Sequence, residues 1–188
     1  VSRWQPNARG RLEEAALQLY AAQGFDATTV AEIAERAGLT ERTFFRHFAD
    51  KREVLFSGQT ALTEAMVAAV AATPAEAGPI DAVGAAVRAA GTLIGARRDS
   101  ARRRQAVIDA NPGLQERELI KLATLATALT DALRERGCDD LTARLAAEVG
   151  VAVFKVAFER WIRAAGDARF DDALAESIAE LKAVTAAG

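Results

Sequence analysis

The chain has 188 residues, 51% apolar and 27% charged, with a net charge of −2. That length and balance suit a soluble globular protein whose core needs no disulfide or metal. The near-neutral total excludes a chain that is basic throughout, so a nucleic-acid site would have to be a local patch. The single cysteine, Cys138, excludes an internal disulfide and fits a reducing cytoplasm; it reads as a bystander thiol, with redox sensing as the alternative. No segment reaches the roughly 18 uninterrupted apolar residues of a membrane span, and no apolar run follows Val1–Pro6 as a signal peptide would need. There is no metal-ligand spacing, no Gly-rich phosphate loop and no nucleophile elbow, and His47 is the lone histidine. The chain is therefore expected to be no enzyme and to need no metal or cofactor.

Abundant alanine and scarce proline predict an all-α protein of about nine helices. A first helix fits Ala8–Gln23, with Leu12, Ala16, Leu19 and Tyr20 on one face and Gly24 as its stop. Thr29-Val-Ala-Glu32 reads as a capping box opening a short second helix, striped by Val30, Ile33, Ala34 and Ala37 and ended by Gly38. Thr40 is the natural cap of a third helix in which Phe44 and Phe48 face inward. Asp50-Lys-Arg-Glu53 is a second candidate capping box, opening a long fourth helix to about Ala72. Thr73–Gly78 is the clearest internal boundary. Beyond it, helices are expected at about Ile80–Arg97, Ser100–Ala110, Leu114–Arg136, Leu141–Ala165 and Asp171–Thr185. Gly137 and Gly166 sit where helix-ending glycines belong, and Asn111-Pro112 makes a start.

Two short helices joined by a tight Gly-containing turn form a helix-turn-helix pattern, here between Thr28 and Phe48. Such a unit lays its second helix in the DNA major groove while the first braces it. The outward residues of the third helix are Glu41, Arg42, Thr43, Arg46 and His47. Arginine pairs bidentately with guanine, and threonine meets a thymine methyl or a phosphate. Lys51 and Arg52 fall in the first turn of the expected fourth helix, where cations oppose the helix dipole unless a phosphate docks there. From Arg42 to Arg52 four cations face one acid, a local charge of +3. A solvated basic face is the rival account of that charge, but it leaves the caps, turn and aromatic spacing unexplained.

The run from Phe25 to Phe48, with Asp50-Lys-Arg-Glu-Val-Leu55, resembles the DNA-binding domain of TetR-family repressors over residues 8–56. The resemblance implies a homodimer with an N-terminal helix-turn-helix domain (1–50) and a C-terminal ligand-binding and dimerisation domain (51–188), the latter starting with a connecting helix (51–72). It implies a palindromic double-stranded DNA operator, with Thr29 and Lys51 contacting phosphate, Thr40 capping the recognition helix, and Glu41, Arg42 and Thr43 reading bases. Phe45 and His47 occupy the two aromatic positions that hold the DNA backbone. The family most often has tyrosine at the first, so Phe45 lacks one phosphate hydrogen bond, worth about 1 kcal/mol.

The resemblance also places the last two helices in a dimer interface. An effector pocket is expected among the helices from about Ile80 to Arg136, with Met66, Leu93, Ile94, Val107, Leu125, Leu129, Phe154 and Phe158 as wall candidates; core packing is the alternative for each. The run Arg97, Arg98, Arg102, Arg103, Arg104 is either a solvated face or an anion-binding mouth. Asn111–Ala123 and Ala152–Trp161 look like the branch of the family that includes the mycofactocin-system regulator, a branch associated with acyl-CoA-type effectors. The implied effector is an acyl-CoA-like or other anionic apolar compound that releases the repressor from DNA, with the fourth helix as a rigid lever.

Overall fold

The computed structural model describes residues 7–186. Val1–Pro6, read above as no signal peptide, lies outside the described residues. Among the described residues the regular structure is all helical: α1 (Ala8–Gln23), α2 (Val30–Arg36), α3 (Glu41–His47), α4 (Glu53–Phe56), α5 (Gln59–Ala72), α6 (Pro79–Ile94), a 3-10 turn (Gly95–Arg97), α7 (Arg98–Asp109), α8 (Pro112–Glu135), α9 (Asp140–Arg163) and α10 (Phe170–Ala186).

Local chemistry explains the ends. Asn7 caps α1 by accepting from the Gly10 amide at 2.9 Å. The expected capping box of α2 forms in full: the Thr29 hydroxyl accepts from the Glu32 amide, and the Glu32 carboxylate accepts from the Thr29 amide. Thr40 caps α3 through the Thr43 amide. Gly24, Gly137 and Gly166, expected at helix ends, all have positive φ.

The single fourth helix expected from Lys51 to Ala72 is two helices, which brings the count among the described residues to ten. Only the Asp50 half of its capping box is made, by the Glu53 amide at 2.9 Å; the Glu53 carboxylate is drawn instead to Arg117. The break falls at Ser57–Gly58. There Arg9 donates to the Ser57 carbonyl at 2.6 Å, and the Ser57 hydroxyl donates to Glu13 at 2.8 Å. These bonds compete with helical continuation, and Gly58 resists it weakly. Taken together, Glu53–Ala72 is long and apolar enough to cross a membrane by length and composition alone, which the uninterrupted-run criterion passed over. Met66 and Val70 from this stretch are fully buried in a protein core.

The chain divides into two compact units, residues up to 58 with 102–118, and 59–101 with the residues from 119 onward. The first differs from the linear cut at residue 50 because Val54, Leu55 and Phe56 join the core of Leu12, Ala16, Tyr20, Ile33, Phe44 and Phe48, as do the distant Val107, Ile108 and Leu114. In the second unit α5, α6, α9 and α10 pack around Met66, Val87, Leu129, Phe154, Trp161 and Phe170. Gly150 allows the close approach of α9 to α6, since a Cβ there would overlap the Val83 side chain.

Candidate nucleic-acid interface

The turn between α2 and α3 sets the geometry of the site. The Gly38 amide donates to the Glu35 carbonyl and the Leu39 amide to the Ala34 carbonyl, both at 2.8 Å. This is the Schellman closure of a helix end, which needs a left-handed residue. Gly38 supplies it with φ 63°. From α1, Arg11 donates to the carbonyls of Ala37 and Gly38, and a Cβ on Gly38 would come within 2.9 Å of that guanidinium. The left-handed backbone is what requires glycine here, since the flexible end of Arg11 could move aside for a Cβ.

The four i, i+4 rows of α3 show a gradient of burial. Phe44 and Phe48 are buried, Thr43 and His47 half-buried, and Glu41, Phe45, Arg42 and Arg46 exposed. The expected base-reading residues Glu41 and Arg42 thus share an open face with Phe45 and Arg46. Phe45 is 56% exposed and, among the described residues, the one large apolar side chain so exposed in the first unit. Its ring meets that of Phe44 edge-on at 5.5 Å. Thr43 stands at the border of the face, its hydroxyl 3.1 Å from that of Thr40. His47, expected to donate outward, has its Nε2 buried without a hydrogen-bond partner. Thr29 is exposed, with its hydroxyl donating to Glu32 at 2.9 Å.

Lys51 differs from expectation. It precedes α4 rather than lying in its first turn, and Arg52 takes the cap position. Its Nζ donates to the carbonyls of Phe25, Asp26 and Thr28. The Lys51 carbonyl in turn accepts from the buried Tyr20 hydroxyl at 2.6 Å. Burial, aided by the Asp50 charge, pushes that phenol well above its ordinary pKa, so it remains a donor.

The sequence reading gives Arg11 no role and does not place residues 102–118 with the first unit. The signal for the segment was the arginine run itself, because two of its members fasten it. Arg103 pairs with Glu14 of α1, while Arg104 donates to the Leu55 carbonyl at 2.6 Å and to Glu118 at 2.9 Å. Arg98 behaves differently, donating to the carbonyls of Trp161, Ala164 and Gly166 at the end of α9.

Of the expected pocket residues, Met66, Leu125, Leu129 and Phe154 are buried together in the second unit, with Ile94 and Phe158 packed against them. Two do not join them. Leu93 is 48% exposed, because the inward stripe of α6 runs through Val83, Val87, Ala90 and Ile94. Val107 belongs to the core of the first unit. On α9, Leu141 (67% exposed), Leu145 (58%) and Val156 form an open apolar face, and Val184 of α10 is also exposed.

Comparison with known proteins matches two successive stretches of the chain. Residues 12–57 match the family model described as bacterial regulatory proteins, tetR family, and residues 77–186 match the MftR C-terminal domain. An 81-residue segment is 46% identical to the HTH-type transcriptional regulator TcmR of Streptomyces glaucescens, covering 43% of this chain and 36% of that regulator. The fold resembles the fatty acid degradation regulator FadR of Bacillus halodurans (TM-score 0.63, 17% identity, 89% of this chain and 94% of that one). It also resembles FadR of Bacillus subtilis, solved in complex with stearoyl-CoA (TM-score 0.61, 19% identity, 92% and 95%). The chain belongs to the TetR family of bacterial regulatory proteins, DNA-binding regulators of transcription built on a helix-turn-helix.

Proposed function

We propose that the protein is a cytoplasmic, homodimeric repressor that grips a palindromic operator and leaves it when a small molecule enters the second unit. The observation that carries this is the open face of α3, where Glu41, Arg42, Phe45 and Arg46 stand together beside the half-buried Thr43 and His47. Arg42 and Arg46 bring the charge that a groove demands, and Glu41 and Thr43 add base-edge partners. Thr29 and Thr40 set the starts of α2 and α3. Two copies would read two half-sites one or more DNA turns apart.

Dimerisation is assigned to α9 and α10, where Leu141, Leu145, Val156 and Val184 are left open; apolar side chains massed on one face usually mark an interface. The effector site is assigned to the apolar interior lined by Met66, Ile94, Leu125, Leu129, Phe154 and Phe158. An acyl-CoA-like or other anionic apolar compound is the class favoured by the likeness to a FadR solved with stearoyl-CoA. Release is a population shift, limited to the ratio by which the ligand distinguishes the two states. Fluorescence anisotropy on an operator isolated from random duplex DNA tests the reading. Specific binding that weakens on adding long-chain acyl-CoA is expected; undiminished binding at saturation would remove that effector class, and no specific binding would remove the repressor reading.

A further inference from the structure

The resemblance places a phosphate-contacting lysine at position 51, yet the ammonium of Lys51 is already engaged. Its Nζ lies 2.8 Å from the Phe25 carbonyl, 3.1 Å from that of Asp26 and 2.8 Å from that of Thr28. It also sits 4.6 Å from the centre of the Phe25 ring. An ammonium has three N–H donors and no acceptor, so these carbonyls and the ring face account for its bonding capacity. The backbone of the same residue is held too, through Tyr20, whose ring packs on Phe25 with centroids 5.1 Å apart. Three carbonyl oxygens converging on one point repel one another unless a cation sits between them. The loop they belong to ends at Thr29, which starts α2, and α2 braces α3 through the Gly38 turn.

We propose that Lys51 is a positioning residue for the DNA-reading face: it fixes the Phe25–Thr28 loop, and with it the start of α2, and does not itself bond a phosphate. This rests on the reading that α3 docks on DNA. The test uses the full chain and an operator selected from random duplex, with affinity measured over a series of salt concentrations. Absence of specific binding by the unaltered protein would sink the DNA reading before Lys51 is touched.

Each phosphate contact adds about 0.9 to the slope of log affinity against log salt. Arg46→Ala, on the open face, supplies the comparator and should flatten the slope by about that amount. Lys51→Met is expected to lose roughly tenfold or more in affinity with the slope unchanged. Affinity is read where circular dichroism shows the variant fully folded, so lost global stability alone would not move it. A flattened slope, or unchanged affinity, overturns the proposal. Lys51→Arg keeps the charge and serves if the methionine variant does not fold. A planar guanidinium suits a phosphate but not three carbonyls gathered around a point. The expected result is a loss like that of methionine with the slope unchanged; native-like binding by Lys51→Arg overturns the proposal.

Discussion

Arg103 of α7 and Glu14 of α1, 89 residues apart, share two parallel hydrogen bonds of 2.8 and 2.9 Å. The fork geometry ties the 102–118 segment to the first helix of the DNA-binding unit. The hydrogen bond from Arg103 is the main reason the Glu14 carboxyl titrates below its ordinary value of 4.5. A lowered carboxylate pKa stabilises the fold above the unfolded-state value, and that contribution is lost as pH falls through the folded-state value. Both side chains are substantially exposed, so solvent limits the pair to under about 1 kcal/mol. Glu14→Gln is thus expected to lower stability slightly at neutral pH. The difference should vanish in acid, below the lowered value. Urea unfolding across that range checks both points.

Ile108 tests whether that segment belongs to the first core. It is fully buried there, alongside Val107 and Leu114. Ile108→Ala removes buried methyl groups and leaves a cavity, at a cost of about 2–5 kcal/mol. Chemical unfolding should report that loss together with weakened DNA binding. A change of a few tenths would mean the segment only lies against the unit.

Phe45→Tyr is expected to improve function. The ring is exposed, so a hydroxyl fits without repacking, and it would restore a phosphate hydrogen bond of about 1 kcal/mol. Operator affinity should rise roughly fivefold, while the melting temperature stays put. Unchanged affinity would place Phe45 away from the phosphate backbone.

Gly150→Ala probes the second unit, where a Cβ would overlap Val83. Overpacking of this kind costs about 1–3 kcal/mol. Thermal unfolding should show the loss, and combination with Val83→Ala should recover part of it.

The sequence disclosed what is local. Thr29, Thr40 and Gly38 announce their caps and turn within a few residues, and the burial gradient along α3 follows from i, i+4 spacing. What escaped depends on partners far apart in the chain. Nothing near Lys51 says that its ammonium meets the carbonyls of residues 25–28, and nothing near Gly38 points to Arg11. The arginine run invited two readings, a solvated face or an anion mouth. The structure uses Arg98 to close α9 and Arg103 and Arg104 to fasten α7 to the first unit. Val107 and Leu93 show the same limit, since apolar character is visible in a sequence while the core a residue joins is not.

The open face of α3 is the centre of the account, and Arg42 is its sharpest point. Binding of the unaltered chain and of Arg42→Ala to randomised operator duplexes would measure affinity and base preference together. The predicted result is a loss of about 1–3 kcal/mol with relaxed preference at one position in each half-site. Equal affinity and an unaltered preference would contradict the assignment of DNA reading to this face.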